Sequence, residues 1–258
     1  MKANYHTHTD RCMHAGGRDE EYVRAAIQGG FDVLGFADHT PWPYRSGYIS
    51  GMRMTAGELD GYVRSVRRLS QRYAGQIEVC LGLECEYFPE YIPWLRDTMA
   101  EKGVDYAILG NHYALTDETG VYFGYPRDAQ DVRRYVKLTV EGMETGLFAY
   151  LAHPDLFMLG YGDFDGVCRA ASRALCEAAK RLEMPLEYNL AGLQNSRRLG
   201  AEGYPHRKFW EIAAAVGCKA ILGVDAHSPK RLVDAELWEE AVRTIEGLGM
   251  ERVERLAF

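Results

Sequence analysis

Positive charge is what this chain has too little of: 30 lysines and arginines face 37 aspartates and glutamates, for a formal net charge of −7. A nucleic-acid face usually needs a basic stripe, so no nucleic-acid partner is expected. The pairs Arg67-Arg68 and Arg133-Arg134 fall on predicted helices, where a solvated face is the plainer reading, and only Arg197-Arg198 follows a strand end. No apolar run approaches the roughly 20 residues of a membrane span. Met1-Lys2-Ala3-Asn4 enters the first apolar stretch without a signal-like region, so a soluble cytoplasmic protein with no membrane partner is the expectation. Linkers, low-complexity runs and clear repeats are also missing, which makes residues 1–258 a single expected domain. The six cysteines show no CxxC or ribbon spacing and read as buried reduced thiols, with Cys12 and Cys85 nearest to ligand-type positions. There is no GxSxG elbow, P-loop or GxGxxG, and no cysteine is taken as the nucleophile of a phosphate-cradling Cys-x5-Arg loop. Covalent catalysis and nucleotide-cofactor chemistry fall away.

Histidine stands out against these absences. Seven of the eight fall in or just past short apolar runs: His6 and His8 in NYHTHTD, His14 in CMHA, His39 in GFADH, His112 in LGNHY, His153 in YLAHPD and His227 in GVDAH. A lone His is more often a surface or hydrogen-bonded core residue than a ligand. Read together, with carboxylates beside them and with His6/His8 and Asp225/His227 at strand alternation, they form the pattern of a polynuclear metal site.

Apolar segments ending in such residues alternate with amphipathic ones. Asn4 to His8, Val33 to Ala37, Ile77 to Leu83, Val104 to Leu109, Phe148 to Leu151, Pro185 to Tyr188 and Lys219 to Val224 read as seven strands. Between them lie helical patterns: Tyr22, Val23, Ala26 and Ile27; Leu59, Tyr62, Val63, Val66, Leu69 and Tyr73 behind a Thr55/Glu58 capping box; Val132, Tyr135, Val136, Val140 and Met143; and Val167, Ala171, Ala174, Leu175, Ala178 and Leu182. Strand followed by helix, repeated, implies a parallel barrel or a doubly wound sheet. A barrel gathers all carboxyl ends at one mouth, so the ligand pattern favours it, and about 250 residues is ordinary for that fold. The connection from Thr40 to Met54 predicts a loop over the mouth whose Trp42, Tyr44, Arg45, Tyr48 and Arg53 either close on a substrate or simply pack.

The ordered set HTHT at 6 to 9, His14, ADH at 37 to 39, GLE at 82 to 84, NHY at 111 to 113, AHPD at 152 to 155 and VDAHSP at 224 to 229 resembles the polymerase-and-histidinol-phosphatase (PHP) family across nearly the whole chain. Within it the chain looks most like the stand-alone histidinol-phosphate phosphatases, through the loop after ADH, GLECEYFPEY and EGYPHRKFWEIA. The resemblance implies an α/β fold, a distorted seven-stranded (β/α)7 TIM-like barrel, with three divalent metal ions, Zn, Mn or Fe. By position, His6, His8, Glu84 and Asp225 would hold one metal; Glu84 would be shared with a second, which adds His112 and His153; and His14, His39 and His227 would hold the third.

Asp38 should point away from His39 by strand alternation, which suits a supporting hydrogen bond, and Asn111, Asp155 and Asn189 fall in the same group. Glu86 could share a face with Glu84, and His206 reads as a surface or helix N-terminal residue. Asn4 stands where the family commonly has aspartate, and NLAGLQNSRRLG departs from the usual setting of the phosphate-binding arginine. The implied reaction is attack of a metal-bridging hydroxide on a small phosphate ester, with Arg197 first and Arg198 next as the arginine that neutralises equatorial oxygens. Histidinol phosphate is the leading substrate. A nucleotide, oligonucleotide end or phosphotyrosine on the same chemistry, or a non-catalytic metal-binding domain, stand as alternatives.

Overall fold

The computed structural model describes all 258 residues. They form two compact units, Met1–Ile108 with Val224–Glu236 and Glu254–Phe258, and Leu109–Gly223 with Leu237–Val253.

The first unit is built on a sheet with strand order β1-β2-β3-β4: β1 (Ala3–Asn4), β2 (Val33–His39), β3 (Glu78–Cys85) and β4 (Tyr106–Leu109). β1 pairs parallel with β2 and β2 with β3. Helices α1 (Asp19–Gln28), α2 (Leu59–Arg72) and α3 (Ile92–Lys102) follow the strands in turn. α2 starts where expected: the Glu58 carboxylate accepts from the Thr55 backbone N–H and hydroxyl, both at 2.8 Å, and its buried stripe is Leu59, Tyr62, Val66 and Leu69. Register places Gly35 beside Cys80, Ala37 beside Gly82 and His39 beside Glu84. Aligned residues of parallel strands share a face, so His39 and Glu84 stand together above a layer of small residues. The Tyr106 ring occupies that layer. A methyl on Gly82 would lie 2.6 and 2.7 Å from its Cε1 and Cε2, and its hydroxyl donates to the carbonyl of Tyr5 at 2.7 Å. The first predicted strand is interrupted: after β1 it returns as a bridge at Thr7 to Ala226, with His8 N–H on Ala226 O at 3.0 Å and Ala226 N–H on His6 O at 3.1 Å.

The second unit carries α4 (Ala129–Glu144), α5 (Gly166–Arg181), β5 (Leu186–Asn189), α6 (Leu190–Leu199), α7 (Arg207–Val216), β6 (Ala220–Gly223) and most of α8 (Ala235–Gly247). β5 and β6 pair parallel, with Asn189 beside Gly223. Asp128 and Asp165 cap α4 and α5 by accepting from the first-turn N–H groups. The fifth predicted strand, Phe148 to Leu151, is corrected to a single ladder residue. Leu151 bridges Leu109 on one side and Leu186 on the other, but Gly146 at φ +67° before it and His153 at φ +29° after it turn the chain out of the extended conformation. The result is an α/β fold with parallel sheets of four and two strands. No helix is long and apolar enough to cross a membrane.

Candidate metal centre

In the first unit, the carboxyl ends of the strands bring His6, His8, His39, Glu84 and Asp225 together in near-complete burial, all at most 8% exposed. His6 Nε2 lies 3.5 Å from Glu84 Oε1 and 3.5 Å from Asp225 Oδ1. His8 Nε2 lies 3.2 Å from Asp225 Oδ1 and 3.5 Å from Glu84 Oε2, and His39 Nδ1 lies 3.0 Å from Glu84 Oε2. Two ligands about 2.1 Å from one divalent ion are about 3.0 Å apart at octahedral angles and about 3.4 Å apart at tetrahedral ones. Most of these gaps are wider than a charge-assisted hydrogen bond of roughly 2.7–2.9 Å and fit the edges of a coordination shell. The donor set therefore fits a divalent metal.

His14 and His227 complete the group at its open side. His14, His39 and His227 offer nitrogens within 4.8 Å of one another, as do the donors of His6, His8 and Asp225, and those of His8, His39 and Glu84. Their rings crowd: His8 and His227 centroids are 4.1 Å apart and His14 and His227 4.7 Å. Burial, reinforced by the neighbouring His8 charge, lowers His14 and takes His227 down to about 4. Both rings are thus neutral at pH 7, as ligation requires. Asp225 is anionic: burial opposes its charge, but His6 and His227 hold it well below the usual range. Burial would lower His8 too, yet Asp225 and Asp38 overcome that and keep it at about 9, a proton that a bound cation would replace.

Asp38 sits beneath this layer. Its Oδ1 lies 3.5 Å from His8 Nδ1 and accepts from His39 N–H at 2.9 Å, while Oδ2 accepts from the Thr9 N–H at 3.2 Å and from the Thr9 hydroxyl. A carboxylate on Nδ1 turns Nε2 of His8 toward Asp225 and Glu84. Asn4, fully buried, uses both ends of its amide: Nδ2 donates to His6 O at 3.1 Å and Thr7 Oγ1 at 2.7 Å, and Oδ1 accepts from Val224 N–H at 2.8 Å. It ties the HTH segment to Val224, the residue before Asp225.

In the second unit His112 and His153 are both buried, with ring centroids 4.9 Å apart. His153 at φ +29° and, in the first unit, Asp225 at φ +50° adopt positive φ without being glycine, strain that tertiary structure must sustain. Asn111 Nδ2 donates to Thr139 Oγ1 at 3.1 Å, and Asn189 Oδ1 caps α6 through Gly192 N–H at 2.8 Å. Burial pushes Asp155 up to about 7, and it accepts from His206 N–H at 2.6 Å. His206 is an N-cap but no surface residue: it is 5% exposed, stacks on Phe164 at 4.8 Å, and its Nδ1 accepts from Lys208 N–H at 3.2 Å.

Several sequence expectations meet a different setting. Arg197 and Arg198, read as following a strand end, lie on the last turn of α6; Arg197 is ion-paired with Glu240 and Arg198 donates to Asn195 at 2.9 Å. Of the two readings of the Thr40–Met54 loop, packing is the one that Arg53 and Trp42 follow. Arg53, 1% exposed, forks onto both oxygens of Glu86 at 3.0 and 2.8 Å, and Trp42 Nε1 donates to the same carboxylate at 2.8 Å. Glu86 thus locks the loop instead of sharing the ligand face. Cys12 and Arg18 do stand at Cys-x5-Arg spacing, but burial pushes the Cys12 thiol to about 12, the opposite of a nucleophile's need. Sequence reading also passed over Glu187, a buried acid inside β5 whose only local signal is a charge amid apolar neighbours.

Comparison with known proteins agrees with this geometry. The chain is 32% identical to a probable histidinol-phosphatase of Deinococcus radiodurans over 250 residues, 95% of this chain and 92% of that one. It is 26% identical to a probable histidinol-phosphatase of Schizosaccharomyces pombe over 255 residues, 90% of this chain and 82% of that one. Among solved structures, a histidinol phosphate phosphatase of Lactococcus lactis, complexed with zinc, L-histidinol and phosphate, shares the fold with a TM-score of 0.77 at 19% identity, covering 100% of this chain and 99% of its own. A histidinol phosphatase structure from Listeria monocytogenes gives 0.75 at 21% identity, over 89% and 97%. The PHP domain model matches residues 4–191, most of the chain, so the chain belongs to the PHP domain family.

Proposed function

We propose that this protein is a metal-dependent phosphomonoesterase that hydrolyses L-histidinol phosphate to L-histidinol and phosphate, in cytoplasmic histidine biosynthesis. The observation that carries the reading is the buried convergence of His6, His8, His39, Glu84 and Asp225 at 3.0–3.5 Å, in a chain whose relative along 95% of its length is a probable histidinol-phosphatase. The nine residues His6, His8, His14, His39, Glu84, His112, His153, Asp225 and His227 are the proposed ligands of three divalent ions, Zn, Mn or Fe. Such ions supply Lewis acidity and acidify water into the neutral range when bound. Glu84 contributes an anion close to three imidazoles, which offsets repulsion between neighbouring cations. Asp38 holds His8, and Asn4 holds the strand that carries His6. Arg197, with Arg198 beside it, is proposed to neutralise the equatorial phosphate oxygens; Glu240 would have to yield its place to the phosphate. In the same reading the parallel strands belong to a distorted seven-stranded barrel, supported by strand segments that end in donor residues one after another.

The test is phosphate release from histidinol phosphate beside nucleotides, sugar phosphates and phosphotyrosine, with metal counted by elemental analysis. Preference for histidinol phosphate with two or three metals per chain is expected. Full metal content with hydrolysis of another ester, or of none, would overturn the substrate and leave the ligands. Glu84→Ala should lose both metal and turnover, whereas Arg197→Ala should lose turnover or raise KM with metal intact.

A further inference from the structure

We infer that Glu187 is a positioning residue for His153: its buried carboxylate holds the His153 backbone in the left-handed conformation that presents the imidazole for metal binding. The inference rests on the proposed ligand role of His153.

Glu187 lies within β5 and is 0% exposed. Its Oε2 accepts from the His153 backbone N–H at 3.0 Å and from Asn189 Nδ2 at 2.8 Å, and its Oε1 lies 3.4 Å from the Tyr150 hydroxyl. A carboxylate out of water persists only where donors surround it. Here Tyr150 and the His153 N–H belong to the approach to His153, and Asn189 to the strand end beside it. His153 itself is at φ +29°, a region that non-glycine residues rarely visit unless something fixes them there. The Leu151 ladder sets the chain up to that point, since Leu151 N–H donates to Pro185 O at 3.0 Å and Glu187 N–H to Leu151 O at 2.9 Å. Two residues later the Glu187 side chain takes over from the backbone ladder, and the chain turns.

The neighbouring strand makes room for this. Gly223 is paired beside Asn189, and a methyl there would collide with the Glu187 carboxylate. A glycine in a four-residue strand weakens it, and here it admits a charged group. A structural acid at the surface would need no such accommodation.

The experiment measures metal affinity by competition with a chelator, together with metal content, in the full-length protein. Outer partners of metal ligands typically change affinity 10- to 100-fold. Glu187→Ala is expected to fall in that range, with Gly223→Ala shifted in the same direction because it displaces the same carboxylate. Glu187→Gln is isosteric and keeps one oxygen, which can accept both N–H groups at the Oε2 position while its amide faces the Tyr150 hydroxyl, so metal affinity within about threefold of the parent is expected. In Glu187→Ala/His153→Ala the metal affinity should equal that of His153→Ala alone, because the first residue acts through the second. If Glu187→Ala lowers the unfolding temperature but leaves metal affinity within twofold, Glu187 is merely structural and the inference fails; Gly223→Ala decides the matter in the same way if Glu187→Ala does not fold. Additive losses in the double variant would equally overturn it. His153→Ala with unchanged metal affinity would instead remove His153 from the ligand set, a failure of the function reading.

Discussion

Gly82→Ala should destabilise the protein far more than a single surface methyl would. Gly82 lies two residues before Glu84 on the same face, and its added methyl would stand 2.6–2.7 Å from the edge carbons of Tyr106. The ring cannot swing aside freely. Its hydroxyl donates to Tyr5 O at 2.7 Å and lies 3.1 Å from Phe36 O, and the residue is 2% exposed. Overpacking of this kind costs about 1–3 kcal/mol, and a hydroxyl dragged off its buried acceptor adds about 1–3 kcal/mol. A total of about 2–6 kcal/mol lowers the unfolding temperature by roughly 4–24 °C at this chain length. Calorimetry of Gly82→Ala, Tyr106→Ala and the double variant is the assay. Tyr106→Ala empties the space that the methyl needs, so the pair should couple by about 1 kcal/mol or more. Unfolding of Gly82→Ala within a degree of the parent, or strictly additive losses, would refute the claim that glycine is there to admit the ring.

Arg53→Ala strips the fork from Glu86 and leaves a buried carboxylate with Trp42 Nε1; urea unfolding should show a loss of about 3–5 kcal/mol, and a loss below about 1 kcal/mol would dismiss the loop lock. Asn4→Asp turns the amide that donates to His6 O and Thr7 Oγ1 into an acceptor facing a carbonyl, so a cost of about 1–3 kcal/mol is expected by thermal unfolding; unchanged stability would show that the donors are dispensable. His206 caps α7 through an unprotonated Nδ1, and burial lowers its pKa below the ordinary 6.5. A histidine depressed in the fold adds stability above its unfolded pKa and loses it as pH falls through the folded one. His206→Asn keeps the cap without the titration, so parent and variant should diverge by about 1 kcal/mol in urea between pH 7 and 5. Identical pH profiles would discount the cap.

Much of the centre was legible in the chain because its signals are local. Alternation of two turned Asp38 away from His39 as a supporting carboxylate, the Thr55–Glu58 box marked the start of α2, and apolar runs stopping at His or acid marked the strand ends. Pairings between distant residues were not legible. Arg53 finds Glu86 33 residues on, Arg197 finds Glu240 43 residues on, and His153 N–H finds Glu187 34 residues on. Local periodicity carries no record of such pairings. Likewise, Phe148 to Leu151 has a strand's composition, yet positive φ on either side leaves it one ladder residue. Residue types and their spacing sufficed to mark a cluster of potential metal donors, because donor atoms are a property of side chains. Which carboxylate binds a metal, which locks a loop and which holds a histidine's backbone depends on what lies within 3 Å, and only the packing of separate strands decides that.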